Sequence, residues 1–98
     1  MAQQRVGVIG GGQLAWMMGL EAPSLDMALV VQTPQPTDPA VAVAAEAVFA
    51  PIADAHGTQA LGERCPVITF ENEFVDLPAL RPLAAAGVVF RPSLDALA

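Results

Sequence analysis

The stretch Val6-Gly7-Val8-Ile9 runs without a break into Gly10-Gly11-Gly12 and on to Gln13-Leu14-Ala15. An apolar strand that meets three glycines and passes straight into a helix is built to hold an anion. The first four N–H groups of a helix have no intrahelical partner, and the aligned peptide dipoles place roughly half a positive charge at that end. Glycines let the backbone turn sharply there and let a phosphate approach with no Cβ in its way. The spacing Gly10-x-Gly12-x-x-Ala15 is one form of a dinucleotide fingerprint, weak alone and strengthened by its context between a strand and a helix. The plain alternative is a tight strand-to-helix turn that binds nothing.

The rest of the chain alternates in the same way. Residues 5–9 read as the first strand and 13–21 as a helix ended by Pro23, with Leu14, Met17 and Met18 on an apolar side. Trp16 and the methionines read as packing residues rather than a cofactor box. Residues 27–31 are a continuous apolar run, the pattern of a central parallel strand covered on both faces. After a proline-rich loop from Thr33, Asp38 is the expected N-cap and Pro39 the first residue of a short alanine-rich helix over 40–45. Strands are expected at 47–50, 67–70 and 88–90, with helices over 58–63 and 76–86, the latter stopped by Gly87. Pro82 is expected in or near the first turn of that last helix. Five short strands separated by helices give an α/β fold with an open, mostly parallel sheet.

Composition narrows what such a domain can do. The 98 residues hold four arginines and no lysine against ten acidic residues, for a formal net charge of −6. Arg5, Arg64, Arg81 and Arg91 are dispersed, so there is no nucleic-acid footprint. Without lysine the chain has no P-loop amine for the β/γ-phosphates and no amine for Schiff-base chemistry. A hydrophobic fraction of 54% with no apolar run near 18 residues reads as soluble rather than membrane-bound, and residues 1–4 lack the charged start of a signal peptide. Cys65, the single cysteine, cannot form an internal disulfide and fits a reducing cytoplasm. It reads as a small buried apolar residue near a helix end rather than a catalytic thiol. His56 has no Cys or second His with which to make a metal site and is expected on a loop surface.

Two further stretches bear on function. Thr69-Phe70-Glu71-Asn72-Glu73 follows the fourth expected strand, so its carboxylates lie past a strand's carboxyl end, where open α/β sheets place their ligands. Residues two apart in an extended segment point the same way, which lets Glu71 and Glu73 face one amine. The plainer reading makes them helix-entry acids on a solvated loop. Phe90-Arg91-Pro92-Ser93 leads into a helix with Ser93 as N-cap that stops within about two turns. The chain is therefore expected to be the first domain of a longer protein, residues 1–92 forming the domain and 93–98 the start of a linker helix. A dinucleotide site is less well served. An acid near the end of the second strand normally holds the ribose hydroxyls, and here that strand ends Val30-Val31-Gln32-Thr33 with no acid until Asp38, beyond two prolines.

Val8-Ile9-Gly10-Gly11-Gly12-Gln13-Leu14-Ala15-Trp16-Met17, Thr69-Phe70-Glu71-Asn72-Glu73 and Phe90-Arg91-Pro92-Ser93 together resemble the first domain of the carboxyaminoimidazole ribonucleotide synthetase family, over essentially the whole chain and in order. Gly-x-Gly-Gln-Leu is shared loosely by sibling ATP-grasp families; its combination with Thr-Phe-Glu-x-Glu and Arg-Pro-Ser is more specific. The resemblance implies a Rossmann-like pre-ATP-grasp domain at the head of a ligase of purine biosynthesis. That ligase carboxylates aminoimidazole ribonucleotide with ATP and bicarbonate, by way of carboxyphosphate. It further implies that Gly10, Gly11, Gly12, Gln13 and Leu14 contact the 5′-phosphate of the ribonucleotide. Glu71 would face the aminoimidazole as the candidate catalytic residue, with Glu73 beside it. ATP and magnesium would be held by domains following Ala98, with no cofactor or metal on this chain, and the full-length enzyme would be a cytoplasmic homodimer. Trp16 stands where the family usually carries Arg, a departure from the pattern.

The competing functions are the dinucleotide-binding domain of an NAD(P)-dependent oxidoreductase and a non-catalytic small-ligand-binding module. With no lysine and no nucleotide domain of its own, the 98-residue chain alone is expected to show no ATPase or carboxylase activity. Bicarbonate-dependent ADP release from the purified chain, read in a coupled assay, would overturn that expectation.

Overall fold

Alternation along the strands sends Val8 and Val31 to one face of a sheet and Ile9 and Val30 to the other, and all four side chains are fully buried. A sheet with two apolar faces needs helices on both. The computed structural model describes residues 3–98 and meets that requirement with β1 (Gln4–Ile9), α1 (Gln13–Glu21), β2 (Met27–Thr33), β3 (Glu46–Phe49), α2 (Ala55–Arg64), β4 (Val67–Phe70), α3 (Leu77–Ala85) and α4 (Leu94–Leu97). The strands lie in the order β3-β2-β1-β4, every neighbouring pair parallel.

On one face, Leu61 and Cys65 of α2 and Leu80 of α3 pack with Ile9, Val30, Ile68, Phe90 and Leu94. Gly7 makes this contact close: a Cβ built there would lie 2.9 Å from Leu61 Cγ, so α2 rests on the bare backbone of β1. On the other face, Ala15 of α1, Ala22 and Ala40 cover Val8, Leu29 and Val31. The expected apolar side of α1 is only partly turned to the sheet: Met18 packs on the core, Leu14 and Met17 do not. Helix α1 buries its small residues Ala15 and Gly19 and leaves Leu14 and Met17 each 52% exposed. Val43 presses against Gly19, so the neighbouring segment comes too near for a large side chain at the buried stripe.

Four strands form, not five. Residues 88–90 lie beside β4 where a fifth strand would run, but they make a single parallel bridge, Ile68 with Phe90, through Ile68 N–H to Val89 O (2.9 Å) and Arg91 N–H to Ile68 O (2.8 Å). Gly87, with φ +111°, turns the chain just before this segment, and Pro92 removes the next donor just after it. The helix expected over 40–45 is a 3-10 turn at Pro39–Ala42, because Ala45 leaves to donate to Leu29 O at 2.8 Å on the edge of β2. Asp38 makes no side-chain capping bond there; its carboxylate instead accepts from the Thr33 hydroxyl.

Helix α2 starts three residues earlier than the sequence pattern indicates. Asp54 caps it by accepting from His56 N–H at 2.9 Å, which places His56, still exposed, in the helix rather than a loop. Asp76, expected as the first residue of its helix, instead caps α3 through Ala79 N–H at 3.2 Å, and Ser93 caps α4 through Ala96 N–H at 3.3 Å as expected. Pro82 falls inside α3, beyond its first turn.

Cys65 ends α2 with 6% exposure, and burial pushes its thiol up to about 11. A folded-state value above the roughly 8.5 of a free thiol favours the neutral form in the native state. That contribution is whole below about pH 8.5 and is lost as pH rises toward about 11. The urea midpoint of the wild type should therefore fall more steeply across this window than that of Cys65→Ala. Parallel pH profiles would show that the thiol is not held neutral by the core.

Candidate functional site

Chain order and sheet order diverge at one place. From β1 the chain moves outward through β2 to β3, then crosses by way of α2 to β4 on the other side of β1. Loops leaving the carboxyl ends of β1 and β4 part toward opposite faces, and open α/β sheets bind ligands in the crevice this leaves.

Backbone hydrogen bonds fix that crevice. Gly10 N–H donates to Gln32 O at 2.9 Å, while Glu71 N–H and Asn72 N–H both donate to Ile9 O, at 2.9 and 3.2 Å. Glu71 is thereby set beside Gly10, whose φ of +119° is a conformation that side-chain-bearing residues rarely adopt. A Cβ on Gly10 would collide with the Glu71 carboxylate, and one on Gly12 would lie 2.6 Å from Glu71 Oε2. A Cβ on Gly11 would lie 2.7 Å from Thr33 Oγ1. The three glycines thus have divided duties: Gly10 and Gly12 make room for Glu71, and Gly11 makes room for Thr33.

The resulting hollow is about 280 Å³. Gly10, Gly11 and Gly12 form its floor, Thr33, Pro34 and Asp38 one wall, and Ile52, Glu71 and Asn72 the remainder. Ligand sites commonly enclose roughly 300–1,000 Å³, so this one has room for part of a nucleotide-sized molecule. Gly12 is the N-cap of α1 and supplies no side-chain capping bond, which leaves the first-turn N–H groups open toward the loop. Glu71 lies at the favourable, positive end of that helix. Two carboxylates therefore face a hollow whose lining, among the described residues, includes no arginine. Such a surface accepts hydrogen bonds from amines and hydroxyls and opposes a second anion placed against Glu71.

The residues singled out by sequence are divided by the fold. Gly10, Gly11, Gly12 and Glu71 meet in the hollow. Gln13 and Leu14 open α1 with exposed side chains outside its lining. Glu73 does not reach it either. Asn72 Oδ1 accepts from Phe74 N–H at 2.8 Å, and this turn bends the segment out of the extended form that would aim both acids at one point. Glu71 and Glu73 do border a second cleft of about 410 Å³, beneath Leu97 of α4. Trp16 is half-buried against the Val8–Val31 side of the core. Among the described residues, no three His, Cys, Asp or Glu side chains gather as a metal site.

The hollow is also lined by Thr33, Ile52, Asn72 and Asp38, none of them marked by the sequence as a site residue; Asp38 is expected there only as an N-cap, too far along the chain to serve the end of the second strand. The signal for Asp38 was present in Thr33-Pro34-Gln35-Pro36-Thr37-Asp38-Pro39, a composition that forces a tight turn. The turn closes through Asp38 N–H to Gln35 O at 3.1 Å, and Ala40 N–H donates to Gly11 O at 3.0 Å. The loop thus folds back onto the glycines instead of leading away from them.

The family model for the ribonucleotide synthetase preATP-grasp domain matches residues 3–98. The chain is 64% identical over 93 residues to N5-carboxyaminoimidazole ribonucleotide synthase of a Synechocystis species, and 60% identical over 95 residues to that of Synechococcus elongatus. These alignments take in 95% and 97% of the chain but 24% of each relative, so the chain spans about a quarter of their length. Among solved structures, it is similar to N5-carboxyaminoimidazole ribonucleotide synthetase from Thermotoga maritima, with a TM-score of 0.89 and 35% identity over 97% of this chain and 26% of that one. It also resembles N5-carboxyaminoimidazole synthase from Aspergillus clavatus in complex with ADP and 5-aminoimidazole ribonucleotide, with a TM-score of 0.86 and 32% identity over 98% of this chain and 26% of that one.

The left-handed Gly10 supplies a direct test of the loop geometry. Gly10→Ala should cost about 1–3 kcal/mol from backbone strain and from contact with Glu71. That should appear as a fall of several degrees in the thermal midpoint; an unchanged midpoint would mean the glycine conformation is not required.

Proposed function

Because this chain belongs to the ribonucleotide synthetase preATP-grasp family, we propose that it is the N-terminal domain of an ATP-dependent ligase of purine biosynthesis. In this reading the ligase carboxylates aminoimidazole ribonucleotide with bicarbonate, and the chain supplies one wall of the ribonucleotide site. The observation that carries the proposal is the Glu71 carboxylate lying against Gly10 and Gly12 at the switch point between β1 and β4. The family favours it over a dinucleotide-dependent oxidoreductase domain or a non-catalytic ligand module.

Glu71 accepts a hydrogen bond from the exocyclic amine of the substrate and aims the nitrogen lone pair at the carbon delivered from bicarbonate. As nitrogen attacks, positive charge grows on it, and an adjacent carboxylate favours that charge. Since Glu71 occupies the inner end of the glycine loop, the 5′-phosphate is best served at the outer end, where Gln13 and Leu14 begin α1 and first-turn N–H groups are free. Glu73, exposed and turned away from the hollow, plays a lesser part near its neighbour.

ATP and magnesium do not fit this chain's own residues: it has no lysine, and its described residues form no metal-ligand cluster. We assign both to domains beyond residues 1–92, with residues 93–98 leading toward them. The assembled enzyme is proposed to be a homodimer in the cytoplasm. Among the described residues, no helix is long and apolar enough to cross a membrane.

Glu71→Gln keeps size and one acceptor but removes the charge, so turnover of the full-length enzyme should fall about 10- to 1,000-fold. Glu73→Gln should fall less. Steady-state kinetics with the ATP KM retained would establish the difference, and wild-type turnover in the Glu71 variant would return that acid to a solvated loop.

A further inference from the structure

We infer that Asp38 is the sugar-recognising residue of the crevice, its carboxylate accepting hydrogen bonds from the vicinal hydroxyls of the bound ribonucleotide. The inference rests on the proposed reading of the crevice as part of a ribonucleotide site. In parallel sheets whose first strand ends in a glycine loop, the acid at the carboxyl end of the second strand holds ribose hydroxyls. Here β2 ends in Thr33, which is no acid. The fold supplies one by another route: the Thr33 hydroxyl donates to Asp38 Oδ2, and the proline-bounded loop brings Asp38 back to the strand end.

Three features set this carboxylate apart from a structural one. Asp38 precedes Pro39 at the N-cap place of the 3-10 turn, yet its side chain makes no capping bond, so it lacks the usual task of an Asp at that position. Its Oδ2 is engaged by Thr33, while Oδ1 has no hydrogen-bond partner among the described residues, and the side chain lines the hollow. Its mounting is also firm. Thr33 is 1% exposed and packs on Gly11, and the turn that follows Asp38 is pinned to Gly11 O through Ala40 N–H at 3.0 Å.

The glycine loop is thereby flanked by two acceptors, Glu71 across Gly10 and Gly12 and Asp38 across Gly11. A ribonucleotide base edge and its sugar present donors at two places; a phosphate presents none when fully ionised. The pair accordingly assigns amine to Glu71 and hydroxyls to Asp38, with the phosphate excluded from the space between them.

The test uses the full-length enzyme and calorimetric binding, without ATP, of aminoimidazole ribonucleotide and of its 2′,3′-dideoxy analogue. Asp38→Ala should weaken the ribonucleotide about 10- to 100-fold, the range for loss of hydrogen bonds to a charged group, and leave the dideoxy analogue bound as by the wild type. Asp38→Asn keeps an acceptor for Thr33 and should show a smaller loss with the same discrimination, which guards against a folding defect in the alanine variant. Equal losses for both ligands, or none for either, would overturn the inference. Glu71→Gln separates the two levels. If it weakens both ligands while Asp38 variants do not discriminate, only the role of Asp38 fails; if neither residue affects binding of either ligand, the ribonucleotide reading of the crevice fails with it.

Discussion

The carbonyl of Ile9 accepts from both Glu71 N–H and Asn72 N–H, and one residue later Gly10 N–H donates to Gln32 O. Everything that makes the crevice hangs on these bonds. β1 is a central strand, so its carboxyl end is the point where β2 on one side and β4 on the other are held at the same height. Buried backbone groups must be paired, and the ladder therefore continues one residue past each formal strand end. Glu71, just past β4, is thereby brought against Gly10, and Thr33, the last residue of β2, against Gly11, by the sheet's register rather than by any attraction among their side chains.

Gln32 extends that order to the neighbouring loops. It is fully buried, and its amide donates to Pro51 O at 2.9 Å and Asp54 O at 3.1 Å while accepting from the Thr58 hydroxyl at 2.8 Å. A buried amide with its donors and acceptor satisfied gains from the low dielectric around it, and an unsatisfied one would be costly. This node fixes the 51–54 loop, which brings Ile52 to the crevice and Asp54 to the cap of α2. Gly57 allows the approach: a Cβ there would come within 2.6 Å of Ala50 Cβ and 3.0 Å of Gln32 Nε2. Strand alternation gives consecutive residues opposite tasks, Gln32 bracing the α2 side and Thr33 the glycine loop and Asp38.

Helix α1 shows how packing overrides a pattern. Its large apolar residues Leu14, Met17 and Leu20 are about half exposed, and with Leu25 they make the outer surface of this face apolar. The fully buried stripe is Ala15 and Gly19, flanked by the half-buried Trp16 and Met18, because Val43 and the 3-10 turn at Pro39–Ala42 lie close against it. Hydrophobic periodicity locates a helix; it does not say which of two apolar sides faces the sheet when the partner segment has no regular structure of its own.

The amino-acid sequence by itself determined the alternation of strands and helices, the two-sided burial of β2, the helix start near Asp76, the cap at Ser93, and the gathering of Gly10, Gly11 and Gly12 where a strand meets a helix. These are local matters of propensity, period and capping, legible within a few residues. Tertiary structure alone decided that residues 88–90 form one bridge instead of a strand, that Glu71 enters the crevice while Glu73 turns away, and that Asp38 returns to the end of β2. Each of those outcomes depends on a hydrogen bond whose partner lies outside the local period: Ile68 to Val89, Glu71 to Ile9, Ala40 to Gly11. A site built at the ends of parallel strands takes its geometry from register across the sheet, and register is set by partners that are distant in the chain.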